Sequence, residues 1–321
     1  TNETQMLLDD KEYLQNLYIE NNMHISEIAK KLNVGNTLIL NKLHQHLIPV
    51  TRKHSSLFET EVTEYLKTIY DGLIINNDRS VISKELDIYI PEFNLAIECN
   101  GAFWHSELHG NKDKTYHLNK TKECIEKNIH LIHLWDYVWE NKKDIIKSRL
   151  KSLLGKNKKI FARKCEIIEI DAETASKFMY KNHIQGYAPA SIKLGLLYNN
   201  ELVYVQTYGK SRYNKNIEYE LLRAATLLNF NVIGGLNKLL NYFLKTYKPK
   251  NIISYSDKSW NRGNSYLLAG FKNVHTSNCA PLYTKDYINF ENRMKYQKHK
   301  LHKILPVFDE NLSEWQNMQN N

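Results

Sequence analysis

Asp87 and Glu98 are two carboxylates whose spacing suggests shared chemistry. They lie in two short apolar runs, 86–90 (LDIYI) and 95–99 (LAIEC), separated by Pro91-Glu92-Phe93-Asn94, which reads as a four-residue hairpin loop. Setting Ile90 opposite Leu95 also sets Tyr89 opposite Ala96, Ile88 opposite Ile97 and Asp87 opposite Glu98. A slip of one residue would turn the charges inward, so the register is well specified. Facing carboxylates on one strand pair stand about 5 Å apart at Cβ and repel, which is costly unless a cation sits between them. A hard divalent ion such as Mg²⁺ suits two carboxylates plus water and a phosphate. It would polarise a phosphodiester and acidify an attacking water. The plain alternative is an exposed acidic pair on a solvated face.

Past the hairpin come Asn100-Gly101-Ala102-Phe103-Trp104-His105 and a basic stretch holding Lys120 and Lys122. A histidine near its ordinary pKa can move a proton to or from water or a leaving oxygen, although His105 could equally be a capping or core residue. Lys120 and Lys122 could neutralise phosphate or simply line a solvated helix face. His117 and Asp136 are candidates to lie close by.

These residues must be positioned by the segment 56–155. Its pattern is a helix (57–70), a strand (73–75), the hairpin, a basic helix (115–128), a buried strand (130–135) and a helix (141–154). That order resembles the restriction-endonuclease-like PD-(D/E)xK core, with Glu98-Cys99-Asn100 placing asparagine at the usual lysine. Asn-Gly-Ala-Phe-Trp-His resembles the G-x-F-W-H segment of very-short-patch repair endonucleases. The set Glu59, Asp87, Glu98, Asn100 and His105 resembles the site of phage homing endonucleases of the E-D-x-H-D type. The resemblance implies that Asp87 holds Mg²⁺, His105 acts near the phosphate and Glu59 supports the site from the first helix, with Glu61 as competitor. Asn100 in place of the repair enzymes' histidine, and the lack of their zinc-binding cysteine and histidine set, point to the homing-type branch.

The bulk composition agrees. A chain of 321 residues, 42% hydrophobic with 21 tyrosines, suits two or three globular domains, and a net charge of +9 favours a polyanionic partner such as double-stranded DNA. Cys99, Cys124, Cys165 and Cys279 form no C-x-x-C pair and read as reduced thiols. No signal peptide and no apolar run of about 18 residues is seen, so the expectation is no membrane partner and a cytoplasmic protein of a bacterial or phage-infected cell. The sequence leaves monomer and homodimer open.

Polar joints at 49–56 and 155–159 divide the chain. The head, 1–50, reads as three helices (11–21, 25–32, 36–47) and resembles a helix-turn-helix, with Ala29 at the crossing and Val34 in the turn. Asn36, Thr37, Asn41, Lys42 and Gln45 are then candidates for base contact, with Arg52 and Lys53 in the joint on phosphate. A plain three-helix bundle is the alternative. Residues 160–290 read as an α+β domain resembling the N-acetyltransferase (GNAT) superfamily, with Gly234-Gly235 where its pyrophosphate loop would lie. The extension 291–321 opens with a basic run whose Arg293, Lys295, Lys298 and Lys300 could track phosphates. The expected whole is an α/β multidomain protein: helix-turn-helix head, nuclease middle, GNAT-like end. Its competitors are a DNA-binding regulator with an inactive nuclease fold and an acetyltransferase with DNA-targeting domains.

Overall fold

Leu14, Leu17, Tyr18, Ile28, Ala29, Leu32, Ile39 and Leu43 recur at helical spacing, and in the folded chain they close on one another as the core of the head. The computed structural model describes residues 2–21, 23, 25–46, 48, 57–102, 105, 115–277, 281–284 and 289–321. In the head these form α1 (Asn2–Asp9), α2 (Lys11–Gln15) running into a π-helical turn (Asn16–Glu20), α3 (Ile25–Leu32) and α4 (Asn36–Gln45). Helix α1 was not anticipated. It contributes the buried Leu8, and Asp10 then caps α2 by accepting the Tyr13 N–H at 3.0 Å. Asn33 takes a left-handed conformation (φ 52°) between α3 and α4, and Val34 packs into the turn. The head is a compact unit, Thr1–Ser56, and Leu57–Asn321 is the other.

The second unit is α/β with mixed sheets. It begins with α5 (Leu57–Ile69), β1 (Ile75–Asp78), β2 (Leu86–Ile90), β3 (Leu95–Asn100), α6 (Tyr116–Glu126), β4 (His130–Trp135) and α7 (Asp136–Leu153). The sheet order is β1-β2-β3-β4, antiparallel except for the parallel β3/β4 pair. Three of the expected pairs form, Ile88 on Ile97, Tyr89 on Ala96 and Ile90 on Leu95, and the β2/β3 ladder ends there, short of the expected Asp87–Glu98 pair. Its loop is a 3₁₀ turn, Pro91–Phe93, closed by left-handed Asn94 (φ 44°).

Both sheet faces are covered. Ile88, Ile90, Leu95, Ile97, Ile132 and Leu134 pack with Val62 and Leu66 of α5 and Trp139, Ile146 and Leu150 of α7. Tyr89, Ala96 and Leu131 face Cys124 of α6 on the other side. Helix α7 starts five residues before the expected 141, straight off β4; Asp136 in its first turn accepts the Tyr137 N–H at 2.7 Å. The helix kinks at Lys142 (φ −136°, ψ 30°), next to that expected start.

Next come β5 (Lys158–Phe161), β6 (Glu166–Glu169), α8 (Ala172–Asn182), β7 (Ile192–Tyr198), β8 (Glu201–Lys210), β9 (Tyr219–Thr226), β10 (Phe230–Ile233), α9 (Gly235–Tyr247), β11 (Ile252–Ser254) and α10 (Asn264–Leu268). A five-stranded sheet runs β11-β9-β8-β7-β6, antiparallel except for β9/β11, and β10 pairs in parallel with β5. Leu239, Leu240 and Phe243 of α9 lie against Leu194, Leu196 and Tyr208. The chain ends with β12 (Leu282–Tyr283), β13 (Glu291–Asn292), α11 (Lys298–Leu301) and α12 (Glu314–Gln319).

The joint at 155–159 does not separate compact units. Ser148 of α7 accepts the Asn229 N–H at 2.8 Å, Ser152 donates to Asn231 at 2.8 Å, and Trp260 packs into the core of the first sheet. Among the described residues no helix is long and apolar enough to cross a membrane. Cys99, Cys124 and Cys165 are free thiols; Cys279 lies outside the described residues.

Candidate functional site

The hairpin and α6 together build a small, closed-off charged centre. Glu98 on β3 is only 4% exposed, and its carboxylate is ion-paired with the ammonium of Lys120 on α6, itself 1% exposed. Asp87 on β2 accepts the backbone N–H of Cys99 at 2.7 Å. From α5, Glu59 turns inward and is 3% exposed; the Asn76 amide, 3.5 Å from the Glu59 carboxylate, also donates to Thr63 at 2.9 Å. Glu61 lies elsewhere, accepting from Trp139 Nε1 at 2.9 Å and Lys143 at 3.1 Å. The helix carboxylate that shares the field of Asp87 is therefore Glu59.

Crowding sets the electrostatics. Burial, then the charge of Asp87, pushes Glu59 up to about 8. Burial and then Glu98 raise Asp87, and Lys120 opposes the rise. The site holds more carboxylate than its one lysine balances.

Beside it stand three histidines. In the parallel ladder His133 of β4 is the partner of Glu98, and Trp135 that of Asn100. Thr121 donates its hydroxyl proton to the His117 carbonyl at 2.8 Å, so at 2.8 Å from His133 Nε2 it must accept. That makes Nε2 the protonated nitrogen of His133 and leaves Nδ1 to accept from the Asn100 amide, 3.5 Å away. The Asn100 amide nitrogen thus faces the imidazole, while its fully buried Oδ1 finds no hydrogen-bond partner among the described residues. Burial, then the charges of His117 and Lys120, pushes His133 down to about 3, so it is neutral at physiological pH. His105 Nδ1 lies 2.9 Å from His117 Nε2 with the rings stacked, and His117 meets His133 edge to face at 5.2 Å. Asp136 accepts the Ala102 N–H at 2.9 Å and so anchors the turn that leads to His105.

No family model, curated protein or solved structure matches this chain.

The other candidates are spread over the chain. Asn36, Thr37, Asn41 and Gln45 are exposed on α4, while Lys42 is held by Asp9 at 2.5 Å. Lys122 is exposed on α6, on the face opposite the buried one that carries Lys120. Arg293 grips Glu314 through two bonds of 2.7 and 3.1 Å, Lys295 pairs with Glu291 at 2.5 Å, and Lys300 donates to the Met294 carbonyl at 2.7 Å. Lys298 is exposed. Arg52, Lys53, Phe103 and Trp104 lie outside the described residues.

Among the described residues no group of three or more histidine, cysteine, aspartate or glutamate side chains is arranged to hold a metal ion by itself. Asp87 and Glu98 are nevertheless oxygen donors of the kind a hard cation takes, an ion that needs few protein ligands and completes its shell with water and phosphate. The raised carboxylates and the orphaned Asn100 Oδ1 both mark a place short of positive charge and of hydrogen-bond donors.

Proposed function

We propose that this chain is a Mg²⁺-dependent DNA endonuclease of the homing type, hydrolysing phosphodiester bonds at the Asp87–Glu98 centre. The observation that carries the reading is that hairpin and helix packing bring the buried Glu59 and Glu98 and the half-buried Asp87 together at one place on a mixed sheet covered by helices on both faces. The strand order β1-β2-β3-β4 with its single parallel pair, framed by α5, α6 and α7, supports a restriction-endonuclease-like core. Asp87 and Glu98 would hold the ion. Mg²⁺ bound there supplies charge neutralisation at the phosphate and an acidified water. Glu59 tunes the charge of the site. His105 and His117, in hydrogen-bond contact, hold and pass the proton exchanged with the attacking water or leaving oxygen.

The head supports a DNA partner, since the exposed polar residues of α4 suit a helix that enters a major groove. The C-terminal sheet, with its parallel β9/β11 pair and α9 between them in sequence, supports the GNAT-like reading of fold. Beside the start of α9, Lys238 donates to the carbonyls of Ala162 and Cys165, and Gly234 is exposed in a left-handed turn (φ 80°) with Gly235 buried behind it. The buried Lys120–Glu98 pair favours one second reading, a DNA-binding protein whose nuclease centre is closed by its own lysine. Plasmid cleavage with Mg²⁺ by the wild type and by Asp87→Ala separates the two.

A further inference from the structure

We infer that the Lys120 ammonium is a resident counter-ion that occupies the cation position of the Asp87–Glu98 centre and is displaced when a divalent metal binds. The inference rests on the nuclease reading and assigns α6 a role in it: the helix sets how tightly the site takes its metal.

Three observations carry it. A lysine at 1% exposure is rare and calls for a carboxylate partner, and the partner here is Glu98. The lysine does not come from the strand position two residues past Glu98, where Asn100 stands, but from a helix 22 positions on. The fold has therefore brought a cation back to the carboxylates from a separate element. Finally, Lys120 lies on the buried face of α6, on the side of the sheet that carries Glu98, and its charge opposes the rise of Asp87.

Lys120 holds Glu98 Oε2, and a divalent ion seated on that oxygen would meet a like charge at contact distance in a buried site, where repulsion is strong. A metal that takes this oxygen moves Lys120 aside. Its four-carbon stem allows that, and the freed ammonium remains within reach of any phosphate that arrives with the metal. In the metal-free protein Lys120 keeps Glu98 from being an unpaired buried charge. In the metal-bound protein the ion takes over that duty.

The test is Lys120→Met in the full chain, read by Mn²⁺ titration calorimetry without DNA and by thermal melting with and without Mn²⁺. The variant should melt below wild type when metal-free and regain wild-type stability with saturating Mn²⁺. It should bind Mn²⁺ at least about tenfold more tightly, since no internal cation competes. Lys120→Met combined with Glu98→Gln should restore metal-free stability and lose the Mn²⁺ response. If Lys120→Met folds only when refolded with Mn²⁺, the inference stands; if Mn²⁺ does not restore it, Lys120 is a structural residue and the inference falls. Equal or weaker Mn²⁺ binding by a folded Lys120→Met overturns it as well, while leaving the nuclease reading in place. Absence of Mn²⁺ binding by wild type and by both variants overturns the metal reading itself, and the inference with it.

Discussion

Glu98 and His133 are partners in the parallel ladder between β3 and β4, so a buried carboxylate and a buried imidazole stand side by side beneath α6. Lys120 binds the first and its charge bears on the second. Burial and these neighbouring charges hold His133 neutral, and several measurable consequences follow from that.

His133 makes stability depend on pH. Its pKa is pushed to about 3, so the unfolded chain takes up a proton near pH 6.5 that the folded chain refuses. Stability is then lost as pH falls below that value, at about 1.4 kcal/mol per pH unit for one histidine. His183, also pushed down to about 3 by burial, adds a second equal slope. Urea titrations between pH 7 and pH 5 should show His133→Gln removing a histidine's contribution, approaching about 1.4 kcal/mol per pH unit, from the wild-type slope. An unchanged slope would show that His133 is not held neutral by the fold.

If the proposed centre takes a metal, Glu59 should report its uptake. Raised to about 8, it keeps its proton in the metal-free protein at neutral pH, and the stability this contributes is lost as pH rises through about 8. A bound cation should expel that proton, so metal affinity should strengthen from pH 6 to pH 8.5. Calorimetry in buffers of different ionisation enthalpy should find close to one proton released by wild type and less by Glu59→Gln. Glu61→Gln should behave as wild type, because Glu61 faces Trp139 and Lys143 instead. If Glu61→Gln also suppresses proton release, the assignment of the helix carboxylate fails.

The basic C-terminal run should divide in a salt titration of DNA binding. Lys298 is exposed, and Lys298→Ala should lower the slope of log K against log salt by about one. Arg293 is committed to Glu314, so Arg293→Ala should leave the slope and lower the melting temperature. The reverse pattern would mean that the Arg293–Glu314 pair opens on DNA.

In the head, Asn41→Ala should weaken binding to a preferred site by about 1–3 kcal/mol and leave binding to random DNA unchanged. Lys42→Ala should change stability little, since Asp9 is half exposed and such pairs are weak. Equal weakening on all sequences by Asn41→Ala would make α4 a backbone-contacting helix.

What the sequence disclosed and what it hid have physical causes. The hairpin register was legible because loop length and alternation leave one pairing that buries Ile88 and Ile97 together. Helix α3 was legible in full because its apolar residues keep one stripe. The choice between Glu59 and Glu61 was not, since both precede the same helical stripe and only packing beside Asn76 tells them apart. Burial of Lys120 runs against the tendency of its residue type, so no periodicity rule finds it. The histidines were only partly legible. His133 joins His105 and His117 through the parallel β3/β4 register and the packing of α6, links that lie 12 and 28 residues from His105 in sequence. Helix α7 was placed late because its first turn follows β4 without a loop signal, and the kink at Lys142 imitates a start.

The central claim is that Asp87 and Glu98 form a metal-dependent centre for cutting DNA. Its most direct test is a time course of supercoiled plasmid incubated with the full chain and Mg²⁺, run beside Asp87→Ala and an EDTA control. Wild type should nick or linearise the plasmid, EDTA should abolish cleavage, and Asp87→Ala should be slower by at least about a thousandfold, the scale of several kcal/mol of lost transition-state stabilisation. Cleavage at the same rate by Asp87→Ala, or cleavage that survives EDTA, would contradict the assignment.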